Sequence, residues 1–574
     1  MPEQQTAVPN DMRKGDIVKV ISQRNGGRIL VHALRLHGVD RVFCVPGESY
    51  LEVLDALYDM PIIQLVVAKH EGAAANMAVA DGKLTGSPGI CFVTRGPGAT
   101  QACVGVSAAF QDSTPMILFV GQVRRSVRGR EAFQEIDLCR MFAPLAKWAA
   151  EIEDAARIPE YVLQAFQCAT SGRPGPVVLS LPEDILSQVS PVVDTARFHP
   201  VQATPSNADL DAFHSEIAQA QRPLMILGGS GWSEEACAAV EAFVEANKLP
   251  VVTSFRRQDL IDNQHPCYAG HLSIGLSPDL ASRVRAADLL IAFGTRLGDV
   301  STSGYTLLKP PRLSQRLIHI HADPKELGRV YEADLRINSG PSVFAAAISR
   351  LTPLNDPPWR LWTKAAHEEF IRFTTPVASD RPGTGVDIAA VVSYLGKRLP
   401  PDSFVSNGAG NYTIWIHRFF SYRKPRTELA PTSGSMGFGL PAAIAAKLRY
   451  PERLSVCLAG DGCFLMYPQE LATAKQYNAA IIVLVVNNGM YGTIRMHQER
   501  RFPGRMSGTD LLNPDFVALA QSFGAYAERV ESTDAFAECF ERAVASGKPA
   551  LLDLRVDRRE ITPGRWLPAS TVDR

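Results

Sequence analysis

Two polar clusters in the C-terminal third of the chain each follow a run of apolar residues. Gly460-Asp461-Gly462 comes after the run 454–459, and Asn487-Asn488-Gly489 comes after the run 481–486. A helix-forming stretch, 468–477, separates the two runs, so we predict two parallel strands joined by a crossover helix. Both clusters would then lie at the carboxyl edge of one sheet, where ligands bind in open α/β sheets. A carboxylate and an amide oxygen suit Mg²⁺ that also holds phosphate oxygens, so the pattern predicts a metal and diphosphate site.

Each cluster taken alone is also typical of an ordinary turn, because glycine and asparagine tolerate turn backbones. Their combination at two strand ends favours the metal and diphosphate site over two unrelated turns. The flanking glycines, Gly460 and Gly462 among them, let the backbone approach a diphosphate closely.

A second candidate is the carboxylate of Glu71, in the N-terminal third. It follows the apolar run 62–68 and precedes the small residues 72–76, which permit close packing. Taken alone, Glu71 is explained as a helix-start carboxylate that the helix dipole favours.

Short apolar runs alternate with helix-forming stretches in three blocks along the chain, which is typical of parallel sheets covered by helices. We therefore predict an α/β fold with three doubly wound parallel-sheet domains. The predicted domains and connections are a polar N-terminal tail at 1–27, a first domain at 28–186, a linker at 187–222, a central Rossmann-like domain at 223–355, a linker at 356–385, a third domain at 386–556 and a C-terminal tail at 557–574.

Lysine plus arginine and aspartate plus glutamate number 59 each, so no excess of positive charge points to nucleic acid or to an anionic membrane surface. The ten cysteines include no Cys-x-x-Cys pair, which argues against a disulfide framework and a structural zinc site. No apolar run reaches about 18 residues, and residues 1–27 lack the apolar segment of a signal peptide. We predict a soluble, cytoplasmic protein with a small-molecule partner, without nucleic acid and without a membrane.

The segment 460–488 resembles the thiamine diphosphate motif, and the chain from about residue 28 to residue 554 resembles the acetolactate synthase group of thiamine diphosphate-dependent enzymes. The resemblance implies a pyrimidine-binding first domain and a diphosphate-binding third domain. It also implies a homo-oligomer, at least a dimer and up to a tetramer, with the cofactor between Glu71 of one subunit and Asp461 of another. Glu71 would protonate the aminopyrimidine ring, so that the cofactor acts as its own base.

The same resemblance implies the cofactor contacts. The metal, Mg²⁺, would be bound by Asp461, by the Asn488 side chain and by the Met490 carbonyl. The residues expected to contact thiamine diphosphate are Gly410, Asn411, Tyr412, Gly434, Met436, Asp461, Gly462, Cys463, Asn488 and Ile494.

Three residues match family positions near the substrate: Phe110, Gln111 and Lys147. Each also has an ordinary explanation, as helix core, helix cap and solvated charge. Two departures from the family affect the acceptor. Glu48 stands in the first βα turn, where it would repel a second anionic oxo acid unless it is merely solvated. His497 replaces a typical tryptophan and would change the acceptor wall and add a proton donor, unless it is structural.

The family often holds FAD in the central domain, but its Arg-Phe-Asp-Asp-Arg element reads Arg296-Leu-Gly-Asp-Val300 here, so the sequence leaves FAD open. The implied function is a lyase or carboligase acting on a 2-oxo acid or related carbonyl compound through a C2 carbanion and an enamine. A simple decarboxylase and a flavin-linked 2-oxo acid oxidase are the alternatives within enzymes. A non-catalytic cofactor-binding homologue is the alternative of another class, which the joint presence of Glu71, Asp461 and Asn488 disfavours.

Overall fold

Three six-stranded sheets follow one another along the chain in the computed structural model, which describes residues 22–376 and 384–568. Neighbouring strands within each of the three sheets run parallel, and helices connect them. This arrangement confirms the predicted α/β fold with three parallel-sheet domains.

The N-terminal domain is built around a sheet whose central strands are completely buried. Its strands are β1 Ser22–Asn25, β2 Arg41–Cys44, β3 Gln64–Val67, β4 Gly89–Val93, β5 Met116–Gln122, β6 Trp148–Glu151, β7 Pro176–Pro182 and β8 Val189–Val192. Its helices are α1 Gly26–Leu36, α2 Leu51–Tyr58, α3 Glu71–Thr85, α4 Pro97–Asp112, α5 Leu138–Phe142, α6 Ile158–Thr170 and α7 Glu183–Ser187. The six-stranded sheet has the order β3-β2-β4-β5-β7-β6, and β1 pairs with β8 outside it.

The central domain has the strand order β11-β10-β9-β12-β13-β14, which is the order of dinucleotide-binding α/β domains. Its strands are β9 Pro223–Leu227, β10 Val251–Ser254, β11 Tyr268–Leu272, β12 Leu289–Phe293, β13 Arg316–His321 and β14 Leu335–Asn338. Its helices are α8 Asn207–Ala218, α9 Glu234–Ala246, α10 Pro278–Ala286, α11 Pro341–Ile348 and α12 Arg360–Thr374.

The C-terminal domain has the order β16-β15-β17-β18-β20-β19. Its strands are β15 Phe404–Asn407, β16 Glu428–Leu429, β17 Ser455–Gly460, β18 Ile482–Asn487, β19 Tyr526–Val530, β20 Ala550–Arg555, β21 Glu560–Thr562 and β22 Arg565–Trp566. Its helices are α13 Ile388–Arg398, α14 Tyr412–Phe419, α15 Gly439–Arg449, α16 Asp461–Phe464, α17 Glu470–Gln476, α18 Gly492–Arg501, α19 Phe516–Ser522 and α20 Thr533–Ala545.

The first and third domains share one topology. If the strands of each six-stranded sheet are numbered along the chain, both sheets have the order 2-1-3-4-6-5, whereas the central sheet has 3-2-1-4-5-6. The two matching domains also pack against each other, with α3 of the first lying on α15 of the third. Their kinship is thus one of structure, without an obvious repeat in sequence.

The predicted linkers and tails contain regular elements, which the sequence pattern did not indicate. Helix α12 lies inside 356–385 and packs on β11, with Phe370 buried. Strand β8 and helix α8 lie inside 187–222, and the pair β21–β22 lies inside 557–574. Proline-rich stretches flank these elements and interrupt the pattern of apolar residues. The tail residues 1–21 and 569–574, and residues 377–383 of the second linker, lie outside the described residues, and the domain boundaries stay a prediction.

Among the described residues, no helix combines the length and the apolar character that crossing a membrane requires.

Candidate active site

A cavity of about 270 Å³ opens at the carboxyl edge of the C-terminal sheet. It lies where β15, β17 and β18 end, which is the edge that the sequence predicts. Its wall brings together Met490 and all ten residues predicted to contact the cofactor: Gly410, Asn411, Tyr412, Gly434, Met436, Asp461, Gly462, Cys463, Asn488 and Ile494.

Asp461 is the first residue of α16, and it is buried. Its Oδ1 accepts a hydrogen bond from the Gly462 N–H at 2.8 Å, and its Oδ2 accepts from the Gly489 N–H at 2.7 Å and from the Asn513 amide at 2.8 Å. Burial nevertheless dominates and raises the pKa of the Asp461 carboxyl. Because a cation beside the carboxylate would offset that desolvation, the position suits a metal ligand.

Asn488, a second proposed metal ligand, directly follows β18. Gly460 of β17 pairs with Val486 of β18, so Asp461 and Asn488 follow neighbouring strands. The Asn488 Oδ1 accepts from the Met490 N–H at 3.1 Å. Within residues 22–376 and 384–568, no three or more His, Cys, Asp and Glu side chains form a group that could hold a metal. A metal here would therefore take one carboxylate, one amide oxygen and the Met490 carbonyl, and complete its shell with phosphate and water, which fits Mg²⁺.

Two glycines leave the cavity open to a ligand that lies against the backbone. Gly434 has φ +68° and Gly410 has φ +145°, conformations that glycine adopts without the cost borne by other residues. Nothing lies within 4 Å of the position a Cβ would take on Gly434. The open backbone beside the proposed metal ligands fits a phosphate group bound together with the metal.

Comparison with known proteins identifies the family. Three domain families match consecutive parts of the chain: thiamine pyrophosphate enzyme, N-terminal TPP binding domain, over residues 24–141; its central domain over residues 210–348; and its C-terminal TPP binding domain over residues 408–554. The chain is 31% identical over 541 residues to the acetolactate synthase isozyme 2 large subunit of Escherichia coli (strain K12), covering 93% of this chain and 96% of that protein.

The chain belongs to the thiamine pyrophosphate enzyme family. It is also 33% identical over 561 residues to the acetolactate synthase large subunit of Parasynechococcus marenigrum (strain WH8102), covering 94% of this chain and 90% of that protein. These relatives confirm the resemblance to the acetolactate synthase group, and the matched domains confirm thiamine diphosphate as the cofactor.

In this thiamine pyrophosphate enzyme, Glu71 begins α3 at the carboxyl edge of the N-terminal sheet. Its Oε1 lies 3.6 Å from the position of a Cβ on Gly98, at the start of α4. Glu71 does not line the cavity of about 270 Å³ in the same chain. The fold of one chain thus separates the predicted activating carboxylate from the predicted metal ligands.

The segment that carries Glu71 is attached to α17 through Glu470. The Lys69 N–H donates to Glu470 Oε1 at 3.0 Å, and the Thr473 hydroxyl donates to Oε2 at 2.7 Å. Burial raises the pKa of Glu470 to about 7, although these donors and the Lys69 charge oppose it. The His70 backbone N–H also faces this carboxyl, and the Tyr467 phenol lies close enough to interact with its charge.

We expect this carboxyl to make the stability of the cofactor-free enzyme depend on pH. A raised pKa means that the folded state holds the proton more tightly than the unfolded state, so the stabilisation is present below about pH 4 and is lost as the pH rises through about 7. Glu470→Gln should flatten the fall in Tm between about pH 5 and pH 8 by roughly 2–6 °C, measured by calorimetry. An unchanged pH slope in the variant would show that Glu470 is not the group responsible.

Glu48 is part of an ion-pair cluster that sequence reasoning missed. Its carboxylate lies 2.5 Å from Nη2 of the buried Arg95, whose Nη1 lies 2.5 Å from Glu183. Glu183 also lies 3.4 Å from Arg124, so two arginines face two glutamates. The charge of Glu48 is thereby paired with that of Arg95, and an effect of Glu48 on an anionic acceptor stays a prediction. Pairing over such sequence distances leaves no local signal that could have indicated Arg95.

Phe110 and Gln111 lie at the end of α4 beside the central domain. The Arg173 guanidinium lies 4.9 Å from the Phe110 ring and donates to the Phe110 carbonyl at 2.6 Å. Gln111 lines a second cavity, of about 500 Å³, which also involves Arg296. This cavity lies at the carboxyl edge of the central sheet and has room for part of a nucleotide. Absorbance of the purified protein near 450 nm, roughly where flavins absorb, decides whether FAD is that ligand.

Lys147 does not line the cofactor cavity of its own chain, so its assignment to the substrate site stays a prediction. It immediately precedes β6, so it lies at the amino edge of the N-terminal sheet, opposite the carboxyl edge. Its Nζ donates to the carbonyls of Cys168 and Ser171, and burial lowers the pKa of its amine. These hydrogen bonds hold the C-terminal end of α6 against the sheet.

We expect Lys147→Met to lower stability and to leave catalysis intact. Losing the amine leaves two carbonyls without this donor, which costs roughly 1–3 kcal/mol of unfolding free energy. Chemical denaturation measures the loss, and kcat/KM should stay within about twofold of wild type. A large fall in kcat/KM at unchanged stability would return Lys147 to the substrate site.

His497 and Ile494 both lie on α18, but only Ile494 lines the cavity. His497 is exposed and is not among the residues that line the cavity in this chain. A role for His497 at the acceptor therefore requires a surface from outside this chain.

The C-terminal segment lines the cavity instead of trailing from the domain. Asp557, Glu560 and Ile561 contribute to its wall, and Ile561 is buried. Burial raises the pKa of Glu560 to about 7. Neither this hairpin nor Asn513, which supports Asp461, carried a motif that could have indicated it.

Proposed function

We propose that this protein is a thiamine diphosphate- and Mg²⁺-dependent carboligase that acts on a 2-oxo acid and joins the product to a second carbonyl compound. The observation that carries the proposal is the meeting of Asp461, Asn488 and Gly434 in one cavity of about 270 Å³. Membership in the acetolactate synthase-like group supports the same reaction class.

When bound, thiamine diphosphate supplies a nucleophilic carbon that adds to carbonyls and holds the electron pair left when a carbon–carbon bond breaks. The chain's own residues bind and orient the cofactor. Asp461, Asn488 and the Met490 carbonyl would hold Mg²⁺, and the Gly434 carbonyl would accept a hydrogen bond from the aminopyrimidine. Met436 forms an apolar part of the wall beside Gly434. The segment 556–561 covers one side and limits the access of water.

We propose that the active unit is a dimer. Glu71 lies outside the cavity that holds Asp461 and Asn488 in the same chain, so a second subunit would have to bring its own Glu71 to the cofactor. Glu71 would then hold a proton at the aminopyrimidine ring. Sedimentation combined with activity tests this, because an active monomer would contradict it.

The function is tested by incubating the protein with thiamine diphosphate, Mg²⁺, a panel of 2-oxo acids and a panel of second carbonyl compounds. We expect CO₂ release together with a ligated product that depends on both cofactors. CO₂ release with only an aldehyde product would identify a decarboxylase, and oxygen uptake with bound flavin would identify an oxidase. No turnover despite bound cofactor would support the non-catalytic homologue.

A further inference from the structure

The buried guanidinium of Arg256, a residue of the central domain, contacts the C-terminal domain. Arg256 follows β10 at the carboxyl edge of the central sheet, and only 2% of its surface is exposed. Its Nη1 donates to the carbonyl of Pro431, and its Nη2 donates to the carbonyl of Gly408 at 2.6 Å. Burying a guanidinium is costly unless its hydrogen bonds are well placed, so this geometry is closely specified.

The backbone of Arg256 is also constrained. Its φ of +57° is in the left-handed region, which disfavours residues with a side chain. The preceding residue is fixed, because the Phe255 N–H donates to the Ser301 hydroxyl at 3.1 Å and the Phe255 ring lies 4.9 Å from the guanidinium. Such strain is retained only where surrounding structure enforces it, and here it aims the guanidinium at the C-terminal domain.

The two acceptor carbonyls belong to two different loops of the cofactor cavity. Gly408 directly follows β15 and leads into Gly410, which lines the cavity. The Pro431 carbonyl also accepts from the Gly434 N–H at 3.1 Å, which closes the turn that holds Gly434. One planar fork therefore joins the loop proposed to face the diphosphate to the loop proposed to face the aminopyrimidine.

We infer that Arg256 is a positioning residue for thiamine diphosphate: it fixes the distance between the Gly408–Gly410 loop and the Pro431–Gly434 turn, so that both ends of the cofactor find their contacts at once. This deepens the proposed function and rests on the cofactor occupying that cavity. Arg256 itself does not line the cofactor cavity. It holds both loops in place before the cofactor binds. Without it, the entropy cost of ordering the two loops is paid during binding, which weakens the affinity.

The test measures the Kd of thiamine diphosphate, at saturating Mg²⁺, by quenching of intrinsic fluorescence for wild type, Arg256→Met and Arg256→Lys. We expect Arg256→Met to raise the Kd at least tenfold. Lysine keeps the charge but reaches one carbonyl instead of two, so Arg256→Lys should give an intermediate Kd. Both variants are compared by the Tm of the cofactor-free protein, so that loss of binding is separated from loss of fold.

The matched control is Arg283→Met. Arg283 is a partly buried arginine of the central domain, which contacts Glu369, stacks on Trp362 at 4.5 Å and lies outside the wall of the cofactor cavity. The Arg283→Met variant should have a lower Tm and an unchanged Kd for thiamine diphosphate. A wild-type Kd in Arg256→Met, or an equal rise in Arg283→Met, would overturn the inference.

Two further outcomes are distinguishable. If Arg256→Met yields no folded protein, Arg256→Lys decides, and a wild-type Kd in that variant overturns the inference. If wild type itself binds no thiamine diphosphate, the proposed function fails first.

Discussion

Glu71→Gln is expected to lower kcat by about a thousandfold, within the range typical of losing a group that transfers or holds a proton in the reaction. The amide has the same shape but cannot protonate the aminopyrimidine ring, so the cofactor would no longer act as its own base. Steady-state turnover of a 2-oxo acid measures the loss. Fold and metal binding should persist, because the amide keeps the shape of the carboxyl group and the proposed metal ligands Asp461 and Asn488 are unchanged.

The matched control for that variant is Glu160→Gln. Glu160 is likewise a carboxylate in the first turn of a helix of the N-terminal domain, and it forms an exposed ion pair with Arg157. If Glu71 serves only the helix dipole, both substitutions should have the same small effect, about 0.3–1 kcal/mol of stability and no loss of turnover. Turnover at the wild-type rate in Glu71→Gln would remove this residue from the mechanism.

Asp461→Asn is expected to have different effects on the free and the cofactor-loaded protein. Burial raises the pKa of the Asp461 carboxyl, so its ionised form destabilises the cofactor-free fold, and a neutral amide removes that cost. The amide also places an NH2 group where one carboxylate oxygen accepts hydrogen bonds, which costs stability. The same change removes the only carboxylate among the proposed metal ligands. We therefore expect the Tm of the free protein to change little, while the Tm increase caused by thiamine diphosphate and Mg²⁺ disappears.

Calorimetry with and without the two ligands measures both effects. Asp402→Asn is the control, because Asp402 is a half-exposed carboxylate of the same domain paired with Arg453 and remote from the cavity. The Asp402→Asn variant should show the same ligand-induced increase in Tm as wild type. An undiminished shift in Asp461→Asn would show that the metal is bound elsewhere.

The sequence predicted the elements whose signal is local. The apolar run 454–459 corresponds to β17 Ser455–Gly460, and 481–486 corresponds to β18 Ile482–Asn487. Fully buried parallel strands read as continuous apolar runs, so the polar residues at their ends stand out. That contrast is why the amino-acid sequence alone places Asp461 and Asn488 at one edge of a sheet.

What the sequence could not indicate depends on contacts between distant parts of the chain. Arg256 reaches Gly408 and Pro431 across a domain boundary, and Asn513 supports Asp461 from another loop. No local pattern encodes such pairs. Lys147 shows the converse: its contacts with the carbonyls of Cys168 and Ser171 depend on the fold, and no local pattern in the sequence indicated them.

The measurement that tests the central claim most directly is a calorimetric titration of the purified protein with thiamine diphosphate, with Mg²⁺ present and after removal of divalent metal by a chelator. With Mg²⁺ we expect saturable binding of one cofactor per chain, and without divalent metal a large loss of affinity. No binding of thiamine diphosphate in the presence of Mg²⁺ would contradict the account.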